Sequence, residues 1–191
     1  MREPLETGKV TISRAAHQAD YPADFLLLCA SNPCHCGHFG NSLGNCRCSP
    51  DQIRRYLGKI SGPLLDRIDM QVEVPFLTPQ QLKQYESQPR KSSRQLQKEV
   101  AKAQQIQIAR QGKLNGQLSS NELDVYCGLD NSCQQFLYQA IEKLHLSIRS
   151  YHRVLKVSRT IADLEQKPSI QIQHLSEALG YRKMEQYLSS F

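Results

Sequence analysis

The chain has 191 residues, 24 lysines and arginines against 18 aspartates and glutamates, and a formal net charge of +6 at pH 7. It is long enough to bury a core of one domain or two small ones, and its charge moderately favours a polyanionic partner. No 18-residue apolar run and no leader-peptide pattern occurs, so neither membrane nor export is indicated and a cytoplasmic location is expected.

In chain order, Val10 to Ser13 reads as a strand. Phe25-Leu26-Leu27-Leu28-Cys29-Ala30 is an unbroken apolar run of the kind that forms a strand covered on both faces in a parallel α/β sheet. Asn32-Pro33 would stand at the carboxyl end of that strand, where α/β proteins bind ligands. Asn32 also suits a plain turn cap. In Gly62-Pro63-Leu64-Leu65-Asp66-Arg67-Ile68-Asp69 a helix-like segment delivers Arg67 beside two carboxylates, at the least as a local ion pair. Met70, Val72 and Val74 then alternate with Gln71 and Glu73 as a strand does.

A boundary falls between Pro75 and Pro89, and beyond it the pattern is helical. Ser92-x-x-Gln95 and Ser119-x-x-Glu122 have capping-box spacing, and Gly112 and Gly128 suit helix stops. Leu96, Val100 and Ala103 make one apolar face. Phe136, Leu137, Ala140, Ile141 and Leu144 make a second, and Tyr151, Val154, Leu155, Ser158, Ile161 and Ala162 a third. Lys156 and Arg159 read as a solvated face. Ser147 suits the N-cap of that last helix, which places Arg149 near an N-terminus where a cation opposes the helix dipole.

Four of the seven cysteines fall in one loop, as Cys34-x-Cys36 and Cys46-x-Cys48, joined by residues that include Gly37, Gly40 and Gly44. Two short thiol arms on a Gly-rich loop offer the four soft ligands of a structural Zn2+ site. His35 or His38 could replace one thiol, and plain reduced loop thiols are the alternative. Cys29, Cys127 and Cys133 stand in apolar surroundings and read as reduced core thiols. Arg90, Arg94, Lys98 and Lys102 recur every fourth residue, and from Arg90 to Lys113 seven basic residues face one acid, Glu99. Such a stripe is either a solvated face or a track for a phosphate backbone, with no aromatics for base stacking.

The order Val10-Thr11-Ile12-Ser13-Arg14, Tyr21-Pro22-Ala23-Asp24-Phe25, Asn32-Pro33-Cys34-x-Cys36-Gly37, Cys46-Arg47-Cys48 and Ser61 through Asp69, followed by Ser147 to Leu164, resembles the Mg-chelatase-like AAA+ proteins of the ComM/YifB type. The resemblance implies an α/β fold: the C-terminal part of an AAA+ P-loop NTPase core over residues 1–77, with the Cys-rich loop at 34–48, then an all-α helical lid over 78–191. No G-x-x-x-x-G-K-[ST] phosphate loop and no apolar strand ending in Asp-Glu occurs before Val10. The resemblance places both upstream of Met1, with Met1 to Leu5 as the tail of the helix after the Walker B strand, so the chain reads as a C-terminal fragment.

The resemblance further implies that Asn32 is the sensor 1 residue, Arg67 the arginine finger acting on a neighbouring subunit's nucleotide, and Arg149 the sensor 2 residue of the lid. It implies ATP with Mg2+ in the full-length protein, self-association into a ring, expected to be hexameric, and DNA as a sequence-independent partner in branch migration. Two other functions stay open: a magnesium chelatase-like metal-insertion subunit, and a zinc-stabilised nucleic-acid-binding module.

Overall fold

The computed structural model describes residues 4–14, 17–41 and 46–182. Met1 to Glu3 of the expected upstream helix tail, and Gly44 of the thiol loop, lie outside the described residues. The chain forms two compact units, one up to Ile68 and one from Asp69.

In the first unit, α1 (Pro4–Thr7) leads through Gly8 into β1 (Lys9–Arg14), which pairs antiparallel with β2 (His17–Pro22) in the register Lys9 to Pro22 and Arg14 to His17. Thr11 Oγ1 donates across the pair to Asp20 Oδ1 at 2.8 Å. The Val10 to Ser13 strand is therefore present, in a largely exposed hairpin. The thiol loop follows, then α2 (Pro50–Leu57) and α3 (Gly62–Leu65). Ser49 caps α2 with a capping box to Gln52, Pro50 occupies the first turn, and Ile53 and Leu57 are buried.

The expected parallel α/β sheet is not formed among the described residues, whose only sheet is this two-stranded hairpin. Phe25 to Ala30 and Met70 to Val74 form no regular secondary structure and have no ladder partners among the described residues. Leu26 is 95% and Leu28 92% exposed, and Val74 is 85% exposed. The physical reason is that an apolar run becomes a buried strand only when neighbouring strands take up its backbone N–H and C=O groups. No such neighbours occur among the described residues. Cys29, expected in a core, is exposed for the same reason.

The second unit is helical: α4 (Pro79–Ser87), α5 (Ser93–Gln111), α6 (Ser120–Tyr126), α7 (Asn131–Leu144), α8 (Ile148–Leu164) and α9 (Ile172–Gly180), with a 3-10 turn at Asn115–Gln117. Ser92 and Gln95 form the expected capping box, and Gly112 ends α5 at φ 74°, in the left-handed region that favours glycine. Glu122 accepts from the backbone N–H of Ser119 at 2.8 Å.

The core of this unit joins Leu123, Cys127, Leu137, Val154, Leu155, Leu175 and Ala178. The expected inner face of α8 is its buried face. That of α5 is covered only at Ala103, while Leu96 and Val100 are each 48% exposed. None of the described helices is long and apolar enough to cross a membrane.

Candidate metal centre and arginine sites

The thiol loop folds the two C-x-C arms onto each other. Gly37 and Gly40, both at φ 77°, turn the chain back where a side chain would be strained. The Gly37 N–H donates to the Cys34 carbonyl at 3.1 Å and the Phe39 N–H donates to Cys34 Sγ at 3.4 Å. Cys34 Sγ lies 3.4 Å from Cys36 Sγ and 3.8 Å from Cys46 Sγ, with Cys36 and Cys46 3.6 Å apart. All four sulfurs, Cys48 included, lie within 4.8 Å of one another.

A tetrahedron with metal–sulfur bonds of about 2.3 Å has edges of about 3.8 Å, so the donor set and its spacing are compatible with Zn2+. His35 is not in this set. Its ring packs edge-on against Tyr56 of α2, centroids 4.6 Å apart.

The thiols perturb one another. Backbone N–H groups of His38 and Arg47 favour the Cys36 thiolate and lower its pKa to about 6. The Cys48 N–H favours the Cys46 thiolate, but desolvation and hydrogen bonds to Cys36 and Cys34 outweigh it, and Cys46 is pushed up to about 11. Cys48 is also raised, because its neighbours outweigh the Cys36 N–H. One thiolate forms readily and then opposes the next, a repulsion that a bound cation would reverse.

Asn32 is exposed in the irregular segment ahead of Cys34, and a Cβ placed on Gly37 would lie 4.0 Å from its Cγ. Arg67 follows α3 and is only 11% exposed. Its guanidinium meets Glu6 at 2.9 Å and donates to the Pro63 carbonyl at 2.5 Å, while its buried Nε has no hydrogen-bond partner among the described residues. The partner is thus Glu6, where sequence offered Asp66 or Asp69. Asp69 instead pairs with Arg153 of α8. Arg149 is exposed in the first turn of α8, which Ser147 caps by accepting from the Ser150 N–H at 3.1 Å.

Of the basic stripe, Arg94, Lys98 and Lys102 lie exposed on α5, whereas Arg90 precedes that helix and folds back 4.2 Å over the ring of Tyr85. Lys91 takes up the acid of this stretch, Glu99, at 2.8 Å. Arg159, read as solvated, is 3% exposed: its guanidinium donates to Asp163 and to the carbonyls of Lys167 and Pro168. Burial lowers its pKa against the pull of Asp163. Arg110 and Asn115 complete this network. The Arg159-x-x-x-Asp163 spacing was its one local sign in the sequence.

Two family models match the chain. Magnesium chelatase, subunit ChlI, covers residues 1–82, and its C-terminal domain covers residues 90–182. The chain is 47% identical over 184 residues to competence protein ComM of Haemophilus influenzae, covering 96% of this chain and 36% of that protein. It is 40% identical over 188 residues to the uncharacterized protein YifB of Escherichia coli K12, covering 98% of this chain and 37% of that protein. An uncharacterized Mycobacterium tuberculosis protein is 33% identical over 187 residues, 96% of this chain and 36% of that protein.

The chain belongs to the Mg-chelatase-like family of the ComM/YifB type. It spans 36–37% of the length of these relatives.

Proposed function

We propose that the full-length protein is a ring-forming AAA+ ATPase that acts on DNA, and that this chain supplies the C-terminal part of its core and its helical lid, divided at about residues 77 and 78. The observation that carries the reading is the 47% identity to a competence protein over nearly the whole chain, through both family models. The helical unit from Asp69 onward is consistent with a lid. In this reading Asn32 orients the attacking water. Arg67 leaves Glu6 and meets the γ-phosphate of the neighbouring subunit, a role suited to a permanent planar cation, and Arg149 contacts the phosphates from the lid.

Cys34, Cys36, Cys46 and Cys48 hold a structural Zn2+, which fixes the loop and leaves no position open to water. Arg94, Lys98 and Lys102, with Arg90 beside them, meet phosphates without reading bases. DNA branch migration by a cytoplasmic hexamer is the activity that fits these parts together.

The experiment is ATP hydrolysis by the full-length protein with and without branched DNA. Stimulation by branched DNA is the expected result. The description of both family models as magnesium chelatase favours one other reading, ATP-driven insertion of Mg2+ into a porphyrin. Hydrolysis indifferent to DNA, with metal insertion, would select it.

A further inference from the structure

The thiol loop and α2 form one strongly basic piece. The second C-x-C arm runs directly into the helix, since Cys48 precedes the N-cap Ser49, whose N–H donates to Gln52 Oε1 at 2.9 Å and whose Oγ accepts from the Gln52 N–H at 3.3 Å. The first arm is tied to the same helix by His35 on Tyr56. The buried residues of α2 are Ile53 and Leu57, so its other face is turned to solvent.

Arg47, Arg54, Arg55 and Lys59 are all exposed on this piece, and from Phe25 to Ile60 they face a single acid, Asp51. Asp51 reaches Arg54 only at 3.8 Å, between side chains 61% and 75% exposed, a pair of little strength. Arg55 donates only to the Asp51 carbonyl, and no ion pair engages Arg47 or Lys59 among the described residues.

We propose that Arg47, Arg54, Arg55 and Lys59 form a second nucleic-acid surface, which grips the phosphate backbone of duplex DNA and is held in place by the four-cysteine centre. Arg47 is flanked by two of the metal-binding cysteines, so the metal that joins the arms also fixes the direction in which it points. Tyr56, the one aromatic residue of α2, packs edge-on with His35, and the four cations outnumber it, which favours backbone contact. The apolar side of α2 is buried, so the helix has no face to insert into a bilayer. The metal part of this proposal rests on the zinc reading above.

The test uses the full chain and mixed-sequence double-stranded DNA, with binding followed against salt and zinc content measured on every sample. Each cation that no longer neutralises a phosphate flattens the slope of log K against log salt by about 0.9, so changing Arg47, Arg54, Arg55 and Lys59 together to Gln should flatten it by up to about 3.6. The variant with Arg47, Arg54 and Arg55 changed to Lys should bind like wild type. Removing zinc with a chelator should flatten the slope in wild type and change little in the Gln variant.

An unchanged slope in a zinc-loaded Gln variant overturns the surface. So does an equally flattened slope in the Lys variant, or binding to anionic phospholipid vesicles in place of DNA. A wild-type chain that carries no zinc, paired with a Gln variant whose slope is flattened, keeps the surface and removes the zinc reading alone.

Discussion

Arg110, near the end of α5, donates to both carboxylate oxygens of Asp163 on α8, at 2.6 and 2.9 Å, across 53 positions of sequence. Asp163 is fully buried and also accepts from Asn115 at 2.9 Å and from Arg159 at 3.1 Å. One carboxylate therefore pairs with two guanidinium groups, leaving the cluster with one net positive charge, and binds α5 to α8. Asp163→Ala should be the costly change, about 3–5 kcal/mol, because it leaves buried Arg159 without a counter-charge. Arg110→Ala should cost less, since Arg110 is partly exposed and Arg159 still pairs with Asp163. Urea denaturation of the two variants checks the order, and equal destabilisation would contradict it.

The helical unit was legible where local rules decide. Ser92 with Gln95, Gly112, and the inner face of α8 were readable because caps and periodicity involve residues a few positions apart. The thiol centre was readable for a related reason, since two short arms can meet only by the loop turning back. Phe25 to Ala30 misled because a strand is made by its neighbours, which no run of residues carries in itself. Arg159 misled because its face of α8 is covered by Arg110, Asn115 and the Lys167 to Pro168 turn, a meeting that periodicity along α8 cannot show. The Glu6 partner of Arg67 was hidden likewise, far back in the chain at the first helix.

The thiol centre should carry about one Zn2+ per chain after reduced, chelator-free purification. Changing Cys34 and Cys46 to Ser should remove the metal and loosen the loop. The core around Leu137 and Leu155 should stay formed, because none of the four cysteines belongs to it. Metal analysis with far-ultraviolet circular dichroism checks both parts, and a metal-free wild type would refute the site.

The start of α6 should be acid-sensitive. A hydrogen bond from Lys113, 2.6 Å away, and others from Ser119 lower the Glu122 pKa from 4.5 to about 2. Because the folded value lies below the unfolded one, the stabilisation is complete above about pH 4.5 and is lost as pH falls toward 2. The protection of the Leu123 amide, corrected for the intrinsic exchange rate at each pH, should fall over that window, and Glu122→Gln should flatten the dependence. Identical profiles in the two proteins would contradict it.

Arg149→Ala in the full-length protein should weaken the response to nucleotide within the same subunit, as nucleotide titration of ordering in the lid would show. An unchanged titration would return Arg149 to a solvated first turn of α8.

The most direct measurement is ATP hydrolysis, with branched DNA present, by full-length wild type and by Arg67→Ala, alone and mixed with subunits whose phosphate loop is disabled. Arg67→Ala should bind nucleotide nearly as well, lose turnover on the order of 10³-fold, and regain part of it in the mixture, where one subunit's arginine serves another's site. Unchanged hydrolysis by Arg67→Ala would contradict it and leave Arg67 as the ion-pair partner of Glu6.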